Sequence, residues 1–380
     1  MNFKQIIGKL LGYTIGTLYR CVVSIFPSNR TINLGSNPTV ALALYGGLGD
    51  ALMMLPAIKM AKVSVPGLKL IVYVEEKTAF TILELTGLTD HLMLMDLKEF
   101  DNSFKRWRFV WSHIRPLGPN IAMRNYLHTR FQDSVETFLT GAKHRIGYME
   151  NPWTSIDTAI AHTKPQQHRV LDNADLFAIC GVKGDLKMPK LHLDPESTRW
   201  AQETPGNIIN NKIIIGMHPG CKSRDKVKRW PEEYFAQLID RLYIHETVEI
   251  ILFGGPNDGS SIQHILNKVH RHPILAVSQS LRETAPLVKE CDIFVSNDSG
   301  LMHLAAVLRV PVVGLFGPTS PIKNGPWGSG HKILMSDYEC APCWAPGYRG
   351  CENGDCMKRI SVDSAYNAIS EKMQSKLTLS

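Results

Sequence analysis

Short apolar runs alternate along this chain with segments in which apolar residues recur at helical spacing. The clearest example is residues 291–319, CDIFVSNDSGLMHLAAVLRVPVVGLFGPT. Residues 293–296 and 310–316 are apolar enough for two buried strands, and the residues between them predict a helix. The four residues before that helix, NDSG, favour turns and helix caps. The pattern predicts a strand–loop–helix–strand unit whose helix start offers backbone N–H groups and a positive dipole end to a phosphate.

The same alternation extends over most of the chain. It predicts strands at 39–45, 70–74, 212–217 and 248–253. The loops at 217–230, 254–259 and 297–300 follow strands and are rich in glycine, basic or small polar residues. Because ligands of open α/β sheets bind outside the carboxyl ends of the strands, these loops together predict a nucleotide or phosphate site.

A glycine-rich loop, GGLGD, follows the first predicted strand at 46–50. Its glycines lack the GxGxxG spacing, which argues against a dinucleotide fingerprint. Gly47 allows the backbone to approach a ligand closely. Asp50 stands at a helix start, where a carboxylate caps the helix, and the same position suits a carboxylate that faces a ligand. The residues alone leave both interpretations open.

Composition bounds the organisation and the partners. A length of 380 residues predicts two domains, and 44% hydrophobic with 20% charged residues is typical of a globular protein. The formal net charge of +7 favours anionic small molecules or an anionic membrane face. The basic residues form no single long run, so we expect no nucleic-acid partner. Residues 183–211, rich in Lys, Pro, Asp and Asn, are the predicted linker between domains.

The first half of the chain is noticeably basic. Its cations form either an ordinary solvated surface or a cleft for an anionic acceptor, and we assign Gly47, Arg124 and Arg130 to acceptor binding. The cations are Lys105, Arg106, Arg108, Arg115, Arg124, Arg130, Lys143, His144 and Arg145.

Residues 3–26 are apolar on one helical face, with basic residues mostly off it. No small-residue cleavage site follows, and Arg20 interrupts the run, which argues against a signal peptide and against a spanning helix. The segment is either an interfacial helix on an anionic membrane or a helix docked on the fold.

Four cysteines lie close together near the C-terminus: Cys340, Cys343, Cys351 and Cys356. A CxxC pair with two more cysteines nearby is typical of a structural zinc site. The spacing of the second pair is unusual, so disulfides or free thiols remain alternatives. The other four cysteines are scattered, which indicates a reducing compartment and a cytoplasmic location.

With these blocks in view, the chain resembles the ADP-heptose:lipopolysaccharide heptosyltransferase family, glycosyltransferase family 9. The matching blocks are GGLGDALMMLPAI, HPG with KRWPEEYFAQLI, FGGPND, SNDSGLMHLAAVLRVPVVGLFGPTSP and the C-terminal cysteines, in order over about residues 40–360. The resemblance implies the α/β GT-B architecture, two Rossmann-like domains facing each other across a cleft. We expect an amphipathic helix at 1–30, an acceptor domain at 31–195, a nucleotide-sugar domain at 205–345, and a cysteine-containing loop with a C-terminal helix at 346–380.

The resemblance also implies residue roles. Asp50 matches the general base that acts on the acceptor hydroxyl, and Lys228 matches the lysine that contacts the donor phosphates. The residues implied for the donor are Lys222, Ser223, Lys228, Gly255, Asp258, Asp298, Ser299, Gly300 and His303. The loop Gly220-Cys221-Lys222-Ser223 departs from the small hydroxyl residues that several relatives carry there, which affects the expected phosphate contacts.

Together these features predict an inverting glycosyltransferase that needs no cofactor and no metal. It would move a sugar, plausibly heptose, from a nucleotide-sugar donor to a glycan or lipid-linked glycan acceptor of the lipopolysaccharide core, with peripheral contact at the cytoplasmic face of the inner membrane. The chain contains no Asp-x-Asp pair, the usual metal-binding pair of GT-A enzymes. The alternatives are a nucleotide-sugar epimerase of the same architecture and a non-catalytic nucleotide-binding protein.

Overall fold

The computed structural model describes residues 31–125, 131–148, 159–161, 164, 166–203, 212–277, 279–343 and 354–377. The chain divides into two compact units, Met1–Pro189 and Lys190–Ser380. The predicted helix at 1–30, Arg130 and Cys351 lie outside the described residues. No helix of the described ranges is long and apolar enough to cross a membrane.

The first unit is built on a parallel sheet with the strand order β3-β2-β1-β4-β5-β6. Its central strand is buried from Val40 to Leu44, as expected for a strand covered on both faces by helices. The strands are β1 (Thr39–Leu44), β2 (Lys69–Val74), β3 (His91–Leu94), β4 (Ile121–Arg124), β5 (His144–Tyr148) and β6 (Ala159–Ala161). The helices are α1 (Leu48–Ser64), α2 (Lys77–Glu84), α3 (Ser103–Phe109), α4 (Phe131–Leu139) and α5 (Arg169–Ala178), and α3 continues into a π-helical turn (Val110–Ile114) and a 3-10 turn (Arg115–Leu117).

The second unit repeats this topology with the strand order β9-β8-β7-β10-β11-β12, again parallel. The strands are β7 (Ile213–His218), β8 (Val248–Gly254), β9 (Ile274–Val277), β10 (Ile293–Asn297), β11 (Val312–Phe316) and β12 (Lys332–Met335). The helices are α6 (Pro195–Glu203), α7 (Glu232–Leu242), α8 (Gly259–Leu266), α9 (Leu281–Lys289), α10 (Gly300–Val307), α11 (Pro321–Asn324), α12 (Asp355–Lys358) and α13 (Val362–Leu377). The six predicted strands are confirmed within two residues of their bounds. The prediction of two Rossmann-like units is confirmed as well.

Both sheets have the same topological switch point. Each chain half starts at the sheet centre, adds strands outward on one side, and then crosses to the other side. The central pairs are β1 with β4 and β7 with β10. Ligand sites of doubly wound sheets lie beyond the carboxyl ends of such a pair, so the topology points to the loops that follow these four strands.

The division between the units falls inside the predicted linker at 183–211. That linker is not structureless, because α6 lies within it and contacts α9 of the second unit. The division after Pro189 places residues 190–195 in the second unit, and the domain bounds 31–195 and 205–345 stay a prediction. The C-terminal helix α13 also joins this unit, where it contacts α7 and β10 to β12.

Gly216, in the middle of β7, allows close packing within the second sheet. A Cβ at this position would come 2.5 Å from the Phe294 ring and 2.8 Å from Cys291 Sγ, two side chains of the fully buried core. Gly259, the first residue of α8, has no atom within 4 Å of such a Cβ.

We predict that Gly216→Ala lowers the free energy of unfolding of the second unit by about 1–3 kcal/mol, because the core must shift to admit one methyl group. The matched variant Gly259→Ala should be neutral or stabilising by up to about 1 kcal/mol. Chemical denaturation of both variants measures the difference. Equal stability of the two variants would contradict the close packing at Gly216.

Candidate functional site

In the second unit, the Asn297 side chain joins the loops around the switch point. It is fully buried at the end of β10. Its Nδ2 donates to the Pro219 carbonyl at 2.7 Å, and its Oδ1 accepts from the Trp230 backbone N–H at 3.0 Å. The loop after β7 and the start of α7 are therefore tied to the end of β10, and the 3-10 helix Ser223–Lys228 between them is held beside it.

Lys228 lies at the end of that 3-10 helix, against two carboxylates. Its Nζ is 3.1 Å from Asp298 Oδ2 and 3.7 Å from Asp225 Oδ2. Burial lowers the pKa of Lys228, but the charges of Asp298 and Asp225 raise it, and the net pKa lies above the ordinary lysine value. His303 Nε2 is 4.0 Å from the other Asp298 oxygen. The structure thus brings together three predicted donor residues, Lys228, Asp298 and His303.

Ser299 and Gly300 begin α10 at the same place. Ser299 is the N-cap residue, and its Oγ accepts from the Met302 N–H at 3.4 Å. The same hydroxyl lies 2.9 Å from His218 Nδ1 and 2.9 Å from Ser296 Oγ. The α10 N-terminus, with its positive dipole end, lies next to the Lys228–Asp298 pair, as the sequence pattern predicts.

Asp258, one of the residues implied for the donor, has protein partners for both oxygens. Oδ1 accepts from Arg229 Nη2 at 2.8 Å, and Oδ2 accepts from the Gly255 N–H at 2.9 Å and lies 3.6 Å from His218 Nε2. Burial raises the pKa of Asp258, but the bonds from His218 and Gly255 and the charges of His218 and Arg229 lower it, and the net pKa lies below the ordinary value. A Cβ at Gly220 would come 2.3 Å from this carboxylate. Asp258 therefore holds the loops after β7 and β8 together.

The loop Gly220-Cys221-Lys222-Ser223, which differs from the pattern of several relatives, carries the remaining two predicted donor residues, Lys222 and Ser223. Lys222 is exposed and precedes the 3-10 helix, whose first residue is Ser223. The neighbouring Cys221 Sγ lies 3.2 Å from the Asp225 carbonyl. Both residues thus stay next to the Lys228 segment, and their contact with a ligand stays a prediction.

In the first unit, Gly46 and Gly47 form the turn from β1 into α1. Gly47 is the N-cap residue, and its N–H donates to Asp50 Oδ2 at 2.9 Å. Asp50 is half-buried and is the third residue of α1, so the expected capping role exists, with Gly47 rather than Asp50 at the cap. Gly46 has φ of +107°, and a Cβ there would come 2.3 Å from the Asp50 carboxylate. The two glycines thus allow the carboxylate to fold back over the end of β1.

Behind this turn lies a buried ion cluster that sequence reasoning missed. Arg106 is 2% exposed, and its guanidinium contacts Glu75 Oε1 and Glu136 Oε1, each at 2.5 Å. The Tyr45 hydroxyl donates to Glu136 Oε2 at 2.7 Å. Burial lowers the pKa of Arg106, but the bonds and charges of Glu136 and Glu75 raise it above the ordinary arginine value. Tyr45 precedes Gly46, so the cluster anchors the turn that carries Asp50.

Arg124, assigned to acceptor binding, is also buried. It ends β4 and donates to Thr137 Oγ1 at 3.1 Å. A solvated position, the sequence alternative for the cations of this half, is wrong for Arg106 and Arg124, because both are buried and each contacts a buried polar side chain of α4. Periodicity could not identify these partners, since they come from elements far apart in sequence.

Three of the clustered cysteines line a cavity of about 230 Å³ together with Val227, which neighbours Lys228. Cys356 is buried, whereas Cys340 is exposed. Within the described ranges, no group of three or more His, Cys, Asp or Glu side chains is arranged to hold a metal ion. Cys351 lies outside those ranges, so the role of the four cysteines stays a prediction.

A family model described as Glycosyltransferase family 9 (heptosyltransferase) matches residues 124–349. Lipopolysaccharide heptosyltransferase 2 of Salmonella typhimurium is 37% identical over 286 residues, which cover 70% of this chain and 79% of that protein. Lipooligosaccharide heptosyltransferase 2 of Campylobacter jejuni is 31% identical over 150 residues, 37% of this chain and 45% of that protein. The chain spans about half the length of several such relatives.

A solved structure is similar over more of the chain. The Escherichia coli ADP-heptose lps heptosyltransferase II has a TM-score of 0.71 and 18% identity, covering 89% of this chain and 99% of that one. At this identity the likeness shows the fold alone, and it confirms the predicted GT-B class of two Rossmann-like domains.

We predict that Asp258→Asn lowers the free energy of unfolding at neutral pH by about 3 kcal/mol, because it leaves the partly buried Arg229 charge beside a neutral partner. Since the folded pKa of Asp258 is lowered, its contribution is full above the unfolded value of about 4 and is lost as pH falls through the folded pKa. The difference between wild type and variant should therefore shrink in acid. Denaturation curves over a pH series measure it.

Asp363→Asn is the matched control, because Asp363 pairs with Arg241 at the exposed surface. It should leave stability nearly unchanged. If the Asp258 variant matched this control at neutral pH, the loop-holding role of Asp258 would be wrong.

Proposed function

The chain belongs to glycosyltransferase family 9, and from this we propose that it is a glycosyltransferase that moves a sugar from a nucleoside diphosphate to a lipopolysaccharide core or related surface glycan. Heptose from ADP-heptose is the first donor candidate, because relatives with these blocks are named heptosyltransferases and one structural neighbour is named for ADP-heptose. The observation that carries the proposal is the Lys228–Asp298 pair at the α10 N-terminus, beyond the switch point of the second sheet.

We assign the leaving diphosphate to Lys228 and the start of α10. Lys228 keeps its proton at neutral pH, since its pKa is raised, and the two carboxylates fix its side chain. The charge that develops on the leaving oxygen would be stabilised by this ammonium group and by the Gly300 turn N–H groups. Asp298 would accept hydrogen bonds from hydroxyl groups of the donor sugar. These groups supply positive charge without a metal ion.

We assign the base to Asp50. One of its oxygens accepts from the Gly47 N–H, and a carboxylate has further lone pairs for a hydroxyl proton. In the proposed step, Asp50 takes the proton of the acceptor hydroxyl as that oxygen attacks the anomeric carbon. The bond from this carbon to the diphosphate breaks, the diphosphate leaves with the electron pair, and the configuration inverts.

The proposed partners are a nucleotide-sugar donor and a lipid-linked glycan acceptor. A lipid-linked acceptor places the enzyme at the cytoplasmic face of the inner membrane, where the net charge of +7 favours contact with anionic lipid. Residues 1–30 are the segment that we assign to this peripheral contact.

A donor screen tests the proposal. Thermal shift of the purified chain with ADP-, GDP- and UDP-sugars should select one nucleotide, and that donor should then transfer its sugar to a lipopolysaccharide core acceptor. Consumption of the donor alone, by isomerisation, would instead support an epimerase. Binding without turnover on any acceptor would support a non-catalytic protein.

We predict that Asp50→Asn reduces transfer by about 10²–10⁴-fold while donor binding stays intact, because the amide keeps an acceptor for the Gly47 N–H but takes no proton. Initial rates and donor thermal shifts measure the two properties. Asp50→Ala removes both the proton acceptor and the carboxylate that bonds the Gly47 N–H. We therefore expect it to be less stable than Asp50→Asn, and this difference in stability measures the capping role. Near-normal turnover by the Asn variant would rule out the base assignment.

We predict that Lys228→Gln weakens binding of the nucleoside diphosphate by about tenfold or more, since a charge-assisted contact in a largely buried site is lost. Lys226→Gln is the control, because Lys226 lies on the same 3-10 helix and is exposed. Calorimetric titration with the nucleoside diphosphate measures both affinities. Equal affinities for the two variants would exclude Lys228 from the phosphate site.

A further inference from the structure

In residues 102–148 of the first unit, the charged side chains that reach the surface in the described part are all positive. The acidic residues of this stretch, Asp133 and Glu136, are both buried. Arg106 and Arg124 are buried with them, and the other cations of the described part reach the surface: Lys105, Arg108, Arg115, Lys143 and Arg145. Lys105 forms an ion pair with Asp101, which precedes the stretch, with 2.9 Å between Lys105 Nζ and Asp101 Oδ1. The surface is therefore cationic and has no exposed carboxylate in its described part.

Large aromatic side chains stand on the same surface. Phe104 lies on α3, Trp111 on its π-helical continuation and Phe138 on α4, and their exposed fractions lie between 53% and 73%. Along α3, Phe104, Arg108, Trp111 and Arg115 follow at spacings of four, three and four residues, which places them on one helical face. Contiguous exposed apolar groups rimmed by polar ones are typical of docking surfaces.

The two helices bring these groups side by side. Ser103 Oγ donates to Gln132 Oε1 at 2.9 Å, and Trp107 Nε1 donates to the Gln132 carbonyl at 3.4 Å. These bonds join α3 to α4 near their starts.

At the other end, cations stack on the exposed rings. The Arg115 guanidinium lies 4.1 Å from the centre of the Trp111 ring, and a Cβ at Gly141, just after α4, would come 3.4 Å from it. The Arg145 guanidinium lies 5.6 Å from the centre of the Phe138 ring. We call the solvent-accessible side chains of Phe104, Arg108, Trp111, Arg115, Phe138 and Arg145 the aromatic–basic surface.

We propose that the aromatic–basic surface docks on a membrane face rich in anionic phospholipid, with its three aromatic rings entering the headgroup region. Rings beside cations settle at such interfaces, because the ring leaves water while the cation meets lipid phosphate. This deepens the proposed function, since it places the first unit against the membrane that would hold a lipid-linked acceptor. A soluble anion would use the arginines but leave the rings in water.

A second copy of the chain is disfavoured by charge. A two-fold contact places the same surface on both sides, so the arginines of one copy would face those of the other, and the described residues 102–148 offer no exposed carboxylate to separate them. An anionic bilayer supplies the missing negative charge over an extended plane.

Vesicle sedimentation with the full-length chain tests the proposal without using the transfer reaction. Wild type should bind vesicles of phosphatidylglycerol and phosphatidylcholine, more weakly as salt rises, and should not bind phosphatidylcholine alone. Phe104→Ser/Trp111→Ser should weaken partition by about tenfold or more. Arg108→Gln/Arg115→Gln should weaken it roughly fivefold per charge removed.

The matched control is Val63→Ser/Ile244→Ser, which replaces two equally exposed aliphatic side chains elsewhere. It should bind vesicles like wild type, and an unchanged donor thermal shift would show that every variant is folded. If the aromatic pair bound vesicles like wild type, the proposal would be overturned, whether residues 1–30 carried the binding or no binding occurred. The oligomeric state of the same variants, measured by analytical ultracentrifugation, gives a second outcome. If wild type formed a dimer that the aromatic pair abolished while vesicle binding stayed unchanged, the proposal would likewise be overturned and the surface assigned to a second copy. A chain that binds vesicles but transfers no sugar would refute the proposed function alone.

Discussion

The second unit depends on one buried side chain, the amide of Asn297. A parallel sheet ends its strands in backbone groups that have lost their ladder partners, and the loops beyond must satisfy them elsewhere. Asn297 does this for the loop after β7 and for the start of α7, with its carbonyl oxygen and its amide nitrogen each bonded to backbone. Because an amide is uncharged, it binds these groups without disturbing the charges of the neighbouring Lys228 and Asp298. The position of the ammonium group therefore follows from a neutral contact that is fully withdrawn from solvent.

The first unit uses the same device at the equivalent place. Asn125 follows β4, accepts from the Tyr45 N–H at 2.9 Å and donates to the Tyr45 carbonyl at 3.2 Å. Tyr45 is then fixed a second time through its hydroxyl by Glu136, whose other partner is Arg106. The turn that carries Asp50 is thus clamped from two directions. In both units, an asparagine side chain at the end of the strand beside the first strand bonds the backbone of a neighbouring loop. The two sheets have the same strand order, and so the switch point leaves the same backbone groups to be paired.

Much of the fold could be predicted from the pattern, because strands buried on both faces are continuous apolar runs and helix starts carry recognisable caps. The ligand loops were predictable for the same reason, as they follow those strands. What escaped prediction depends on contacts between distant elements. Arg106 looked like one cation among many, and only the approach of Glu75 from the end of β2 and Glu136 from α4 makes it a buried one. The sequence did carry a signal for the asparagines, since each lies at the carboxyl end of the strand that pairs with the first strand of its sheet, in MRN after β4 and in VSN at the end of β10. Its meaning required the strand order.

In the proposed site, the adjacent residues Lys228 and Arg229 have different tasks: Lys228 would bind the ligand, and Arg229 supports the loops. The Arg229 guanidinium donates to protein groups, to Asp258 Oδ1 and to Ser261 Oγ at 2.8 Å each. These bonds hold the loop after β8 in place. A planar guanidinium suits this task because its donors are fixed in direction. Lys228 carries a compact charge on a flexible stem, and its ammonium group is positioned by Asp298 at 3.1 Å and Asp225 at 3.7 Å. Such a charge can turn toward a phosphate while the carboxylates keep it protonated. An exchange of the two residues would give the rigid group to the ligand and the flexible one to the scaffold, and the loops after β7 and β8 would then lose the contact that holds them together.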